Sequence, residues 1–335
     1  MINYGILGFG LHAVKRLMPG FANAKNCRVA ALSRRDPAKA QESARQHNIP
    51  LAFDSPEQLC RSPQVDAVLV TTPNACHLQD VLLALACGKP VLCEKPMGIN
   101  ADECRRMVKA ARQARLPLGV AQVFRFEEST ARFRERLALG QIGKPIFARS
   151  EFSFSATGEH PRTWLNNRAI AGGGPIADVG VHSVDALRFI LQDEVVRVST
   201  RGVADRQSGD VEAAAALLLE FSRGTLGMLA VSFRAQYRTP LEVVGETGVL
   251  HADNAFNVEK PVHLEWRRGG AVVEEENLSN RLAYTKQVEA FADAVEGKAE
   301  FPVPGEEGWK NQEILDAAFR SMQSGRTENV RPVDG

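Results

Sequence analysis

The chain has 335 residues, 44% hydrophobic and 24% charged, with a formal net charge of +1. That is an ordinary globular balance, with length enough for two domains. No basic half or tract points to nucleic acid, and no apolar run of roughly 18 residues or more points to a membrane span.

Residues 1–8 carry neither a basic leader nor a long apolar segment, so no signal peptide is expected. Residues 2–7 read as a first strand. They run into Gly8-Phe9-Gly10-Leu11-His12-Ala13, which opens a helical pattern. In such a motif the first glycine permits a tight turn and the second lets the backbone approach a pyrophosphate. The small third residue allows close helix–strand packing, and amides at the helix start face the phosphates. A second strand, 28–32, leads to Ser33-Arg34-Arg35. An NAD site usually places a carboxylate there for the ribose 2′-hydroxyl. A hydroxyl with guanidinium groups would instead bind a 2′-phosphate, so NADP(H) is expected, with NAD possible through Asp36.

The third strand, 67–71, closes on Thr71-Thr72-Pro73-Asn74-Ala75-Cys76-His77. In an open α/β sheet, ligands lie beyond the carboxyl ends of strands, so Thr71, Thr72, Pro73, Asn74 and His77 are expected to border the cofactor. Asn74 also suits a cap for the helix at 77–87. A strand at 90–93 leads to Glu94-Lys95-Pro96, where Pro96 restricts Lys95. Asn100 starts a helix at 101–114, and a strand follows at 118–123. Alternating apolar strands and helices predict a parallel sheet covered on both faces.

From about residue 145 the pattern changes to longer strands at 146–154, 195–203, 213–221, 225–233, 241–244 and 262–266, separated by Gly and Asp breaks. Helices are expected at 128–139, 181–191, 285–295 and 306–324. Strands joined by short turns predict a mostly antiparallel sheet. The fold class is therefore α/β. A Rossmann dinucleotide-binding domain is expected over 1–121, and an α+β domain with a large, mostly antiparallel open sheet over 122–335. The second domain contains Gly172-Gly173-Gly174-Pro175, then Asp178, His182 and Asp185 at spacings of four and three. On a helix these three share one face. Such a stripe could be a buried polar network, half of a metal site, or an acid/base pair. No further ligand cluster favours a metal. The cysteines at 27, 60, 76, 87, 93 and 104 form no metal or disulfide pattern, which fits a reducing cytoplasm.

Gly8-Phe9-Gly10, Thr72-Pro73-Asn74 with His77, Glu94-Lys95-Pro96 and Gly172-Gly173-Gly174 with Asp178 and His182 occur in this order. Together they resemble the glucose–fructose oxidoreductase / inositol 2-dehydrogenase family, written Gfo/Idh/MocA, over almost the full length. Ser33-Arg34 and the glycine run are most similar to its 1,5-anhydro-D-fructose reductases. Those tend to carry Arg after the tryptophan near the cofactor, whereas here Leu165 follows Trp164.

The resemblance implies that Lys95, Asp178 and His182 meet the substrate as catalytic residues. It implies cofactor contacts from Gly8, Phe9, Gly10, Leu11, His12, Ser33, Arg34, Arg35, Thr71, Thr72, Pro73, Asn74, His77, Glu94, Lys95 and Trp164. Arg125 and Arg168 would join in binding a sugar-like substrate, with Phe126, His160 and Arg162 nearby. The implied activity is hydride transfer between NADP(H) and a sugar, ketosugar or polyol-like substrate. Two alternatives are a glycoside hydrolase that retains NAD and a non-catalytic dinucleotide sensor. Apolar sheet faces in the second domain call for cover, so a homo-oligomer, dimer or tetramer, is expected.

Overall fold

The computed structural model describes residues 1–156 and 162–333. The chain forms two compact units: residues 1–122 with 284–309, and residues 123–283 with 310–333. Among the described residues no helix is long and apolar enough to cross a membrane, and no His, Cys, Asp and Glu group could hold a metal ion.

The first unit is built on six parallel strands. These are β1 (Ile2–Leu7), β2 (Cys27–Ser33), β3 (Leu51–Phe53), β4 (Ala67–Val70), β5 (Val91–Cys93) and β6 (Leu118–Val120). They lie in the order β3-β2-β1-β4-β5-β6. The order reverses between β1 and β4, so the loops after these two strands lie side by side, where a dinucleotide-binding crevice forms. Helices α1 (Met18–Ala22), α2 (Pro37–Gln46), α3 (Pro56–Arg61), α4 (His77–Ala86) and α5 (Ala101–Ala114) connect the strands. As the sequence predicts, Asn100 caps α5, accepting from the Glu103 amide at 3.0 Å. The cap expected from Asn74 is not made: α4 starts from Cys76 without a side-chain cap, and Asn74 lies buried in a preceding turn.

The second unit carries α6 (Glu128–Ala138), β7 (Pro145–Ser153), α7 (Arg168–Ala171), α8 (Val181–Leu191), β8 (Val195–Val203) and β9 (Ala214–Phe221). Next come β10 (Leu226–Ser232), β11 (Leu241–Gly245), β12 (Val249–Ala252), β13 (Val262–Arg268), β14 (Ala271–Leu278) and β15 (Glu328–Asn329). The nine strands follow the order β14-β13-β12-β11-β7-β10-β9-β8-β15. Every pair is antiparallel except β7 with β10. On β9, Ala215, Leu217, Leu219 and Phe221 are buried while Ala216 and Leu218 face outward. Strand β14 shows no apolar alternation and was not legible in the sequence. Its anchor is ionic: the Arg136 guanidinium donates to both Glu274 carboxylate oxygens, at 2.7 and 3.0 Å, and also to Glu276.

The domain boundary differs from the sequence reading, which assigns everything after 121 to one domain. Residues 284–309 belong to the first unit. Helix α9 (Ala283–Val295) covers the parallel sheet there: Tyr4 Oη donates to Val288 O at 2.8 Å, and Thr285 Oγ1 to Gly20 O at 2.9 Å. Phe301 closes over Gly119 so tightly that a Cβ would come within 2.6 Å of its ring. Helix α10 (Gly305–Ser324) continues into the second unit from residue 310.

Glu127 precedes α6 and is 1% exposed. Burial pushes its carboxyl well above the usual range, and Ser129 only partly offsets this. Folded protein therefore keeps this proton where the unfolded chain, titrating near about 4.3, releases it. Stability from this group falls as pH rises above roughly 5. Glu127→Gln is expected to flatten the pH dependence of denaturant unfolding between about pH 5 and 8. Parallel pH profiles for the two proteins would show that Glu127 is charged in the fold.

Candidate active site

In the first unit the turn after β1 is held by its neighbours. Gly8 has φ +79°, and a Cβ there would lie 2.7–2.8 Å from the Thr72 backbone. Only glycine meets both demands, the backbone angle and the close approach of the β1 and β4 loops. Thr71 Oγ1 locks the two loops by donating to Leu7 O and Gly8 O, both at 2.9 Å. The Gly8 and Phe9 amides both donate to Ser33 O at 3.2 Å, which joins the glycine turn to the end of β2.

Phe9 itself is 1% exposed and packs near the His47 ring, so its side chain serves the core rather than a cofactor. At Gly10 a Cβ would meet only Gly8 O, at 3.6 Å. That opening, beside the amides at the start of the helix from Leu11, suits a pyrophosphate.

The end of β2 meets the same test. Ser33 is buried, Arg34 partly so, and Arg35 is exposed. Arg34 Nη1 donates to Ser43 Oγ at 2.8 Å, which anchors one guanidinium nitrogen and stiffens the side chain. Asp36 is the N-cap of α2, accepting from the Lys39 amide at 3.1 Å. Its carboxylate is thus tied to a helix end. These donors fit a nicotinamide dinucleotide with a 2′-phosphate.

His12 and Glu94 form a pair, Nε2 to Oε1 at 2.8 Å. Burial alone would raise the Glu94 carboxyl, but His12 and then Lys95 hold it below its ordinary value. Lys95 follows on a partly exposed loop, joined to Pro96 by a cis peptide bond. His77, expected to border the cofactor, is 1% exposed with both ring nitrogens occupied: Nδ1 faces Pro96 O at 3.0 Å and Nε2 faces Thr72 O at 2.8 Å. It braces the Thr72 and Lys95 loops from within. Thr72 Oγ1 is likewise committed, donating to Asp80 at 2.6 Å.

In the second unit the glycine run has a separate reason at each position. Gly172 ends α7 at φ +81°. A Cβ on Gly173 would strike the Phe319 ring at 2.3 Å, and one on Gly174 would strike Glu212 O at 2.2 Å. The chain then turns through a wide π-helical turn, Ile176–Gly180, before α8 begins. Such wide turns recur at functional sites. Four residues are close to one turn in either geometry, so Asp178 and His182 remain on one side. They are 6% and 7% exposed. Arg162 Nη2 lies 3.5 Å from Asp178 Oδ2.

Asp185 does something else. It is 1% exposed and accepts from Arg125 Nε at 2.8 Å, Arg125 Nη2 at 2.7 Å and Asn311 Nδ2 at 2.8 Å. The stripe thus divides into Asp178 with His182, and a buried structural acid. Arg125, expected to bind substrate, is engaged by Asp185 through Nε and Nη2. Arg168 stacks 4.7 Å over the Phe319 ring, and Trp164 packs against the cluster of Ala156, Leu165 and Phe233. His160 lies outside the described residues.

Sequence reasoning missed the aromatic surroundings of His182. Phe124 stacks on the imidazole at 4.2 Å between centroids and on Phe256 at 4.5 Å. Phe152 lies 6.1 Å from His182. The available signal was positional: Ser150 and Phe152 share one face of β7, and Ser150 Oγ donates to Ser183 Oγ at 2.9 Å, beside His182.

Comparison with known proteins agrees with this layout. A family model described as an oxidoreductase family with an NAD-binding Rossmann fold matches residues 2–122, and one for the GFO/IDH/MocA C-terminal domain matches residues 130–251. A 1,5-anhydro-D-fructose reductase of Ensifer adhaerens is 31% identical, with 92% of each chain covered. A D-xylose 1-dehydrogenase (NADP(+)) of Haloferax volcanii is 32% identical over 96% of this chain and 98% of the other. The crystal structure of an aldose-aldose oxidoreductase from Caulobacter crescentus, complexed with glycerol, superposes with a TM-score of 0.89 at 28% identity, covering 98% of this chain and 99% of that one. With a glycine turn built for a dinucleotide and relatives along its whole length, the chain belongs to the Gfo/Idh/MocA family of NAD(P)-binding oxidoreductases.

Proposed function

We propose that the chain is an NADP(H)-preferring oxidoreductase acting on the carbinol or carbonyl carbon of a sugar, ketosugar or polyol-like substrate. The observation that carries the cofactor choice is the end of β2, where Asp36 is consumed as a helix cap and Arg34 is braced by Ser43. The names of the Ensifer and Haloferax relatives support the substrate class.

When bound, the nicotinamide dinucleotide supplies the hydride acceptor or donor. Ser33, Arg34 and Arg35 hold the 2′-phosphate, and the turn at Gly8–Gly10 with the amides of Leu11 and His12 holds the pyrophosphate. Lys95 donates to the reacting substrate oxygen and stabilises negative charge that develops there. His182 takes the hydroxyl proton during oxidation and returns it during reduction. Asp178 orients that exchange. The stack with Phe124 fixes the plane of the imidazole, which prepositions its proton-carrying nitrogen.

Fluorescence titration should show NADPH bound about tenfold or more tightly than NADH, the return on at least one extra charge-assisted hydrogen bond. Ser33→Asp should erase that preference. Equal affinities in the unaltered protein would exclude the NADP assignment.

The chain also fits a cytoplasmic homo-oligomer. Ala216, Leu218, Met228 and Ala230 adjoin across β9 and β10 on the outward sheet face, an apolar strip suited to a second copy. A constant monomer mass by light scattering over a dilution series would remove this reading.

A further inference from the structure

Within the first unit, one contact crosses the ligand edge of the parallel sheet without help from the strand ladder. His12 stands where the helix after the glycine turn begins, and Glu94 follows β5. Strand β4 lies between β1 and β5, so the two loops leave the sheet roughly 10 Å apart, two strand spacings. The side chains close the gap, His12 Nε2 to Glu94 Oε1 at 2.8 Å. Glu94 is 8% exposed, and its other oxygen, Oε2, accepts from the Lys95 amide at 3.2 Å. Its own amide donates to Val70 O at 3.0 Å. The carboxylate is thus oriented at both oxygens just before Lys95, while His77 holds Pro96 O just after it. Burial pushes the Glu94 carboxyl up, but His12 and then Lys95 keep it charged, so the imidazole presents its N–H at Nε2. The Tyr284 ring meets the imidazole edge-on at 6.0 Å. A buried carboxylate is costly and adds little net stability even when paired, so its place at the ligand edge points to a task there.

We infer that His12 is a positioning residue: by donating to Glu94 it fixes the carboxylate that aims Lys95, and so ties the catalytic lysine to the turn that receives the cofactor pyrophosphate. One residue then serves twice, its amide toward phosphate and its ring toward Glu94. This rests on the proposed reaction, with Lys95 at the substrate oxygen. Without the imidazole, burial of Glu94 is opposed by Lys95 alone, and the carboxyl takes up a proton at higher pH. His77 and Cys93, which face Glu94 from α4 and β5, are both held neutral by burial and supply no replacement cation. A neutral Glu94 leaves the Lys95 ammonium without its counter-charge and its loop without a fixed acceptor.

The test uses the full-length protein with His12→Leu, His12→Gln and Glu94→Gln. Carboxyl carbon NMR on glutamate-labelled protein reads the titration of Glu94, assigned by the signal that Glu94→Gln removes. Competitive acetylation read by mass spectrometry reports on Lys95. His12→Leu should raise the Glu94 midpoint by about one pH unit or more, and raise Lys95 acetylation at neutral pH by about threefold or more. With saturating NADP+ and D-xylose, its kcat should fall by about tenfold while KM for the sugar moves by less than about threefold. His12→Gln, whose amide N–H also reaches toward Glu94, should recover most of each loss. A merely structural role would lower the melting temperature and leave the Glu94 midpoint and the kcat-against-KM split where they were. An unmoved Glu94 midpoint in His12→Leu, unmoved Lys95 acetylation, or a His12→Gln no better than His12→Leu overturns the inference. Should His12→Leu fail to fold, Glu94→Gln carries the test, and Lys95 acetylation unmoved in that variant overturns it equally. Absence of sugar turnover in the unaltered protein, with NADPH still bound, counts against the proposed reaction, while the Glu94 and Lys95 probes still decide whether His12 acts on Lys95.

Discussion

His182→Asn should lower kcat by about two to four orders of magnitude, the usual worth of a positioned acid/base. NADPH affinity and thermal stability should stay near those of the unaltered protein. Asparagine keeps a polar group of comparable reach but cannot take up the substrate proton. The pocket around it is set by Phe124, Phe152 and Phe256, which pack on one another as well as on the imidazole. Stopped-flow single turnovers with NADPH read the chemical step directly, and their pH profile should lose the ionisation belonging to the imidazole. Near-normal turnover in this variant would move the acid/base role to Lys95.

Three residues further along α8, the expected result is the opposite. Asp185→Ala should destabilise the second unit by about 3–5 kcal/mol, because it leaves the Arg125 guanidinium buried without its counter-charge. Arg125 and Asp185 are 8% and 1% exposed at their side chains, joined by two short bonds, and Asn311 loses its acceptor as well. Arg188 reaches Asp185 only at 4.0 Å and is already bonded to Glu194 and Asn311, so it cannot replace the lost acid. Denaturant unfolding measures the loss, and activity per folded molecule should change by no more than a few-fold. A stability change below about 1 kcal/mol would mean that the pair is solvated, contrary to its burial. The two variants together separate two titratable positions that share one stripe in the sequence.

Regular periodicity explains why much of the architecture was legible. Strands β1, β2, β4, β5 and β6 are short apolar runs between helices, and the glycine turn carries its own steric signature. Strands β3, β12, β14 and β15 were not seen, because they are very short or lack apolar alternation and depend on neighbours for their pairing. Helix α9 was read as a helix but assigned to the wrong unit. Its amphipathic pattern states that it must cover something, and the hydrogen bonds from Tyr4 Oη to Val288 O and from Thr285 Oγ1 to Gly20 O identify what.

The sequence alone determined the class of chemistry. Gly8-Phe9-Gly10 and Ser33-Arg34-Arg35 carry local constraints of backbone freedom and charge, whereas for Lys95 and the Asp178–His182 pair the spacing left several readings open and the family resemblance supplied the catalytic one. The tertiary structure alone decided which polar groups remain for ligands. His77, Thr72, Arg125 and Asp185 have the side chains of binding residues, yet each is bonded to a neighbour that folding brings to it. The physical reason is that a hydrogen-bonding group is defined locally by its atoms, whereas its availability depends on every other group that folding carries within about 3 Å.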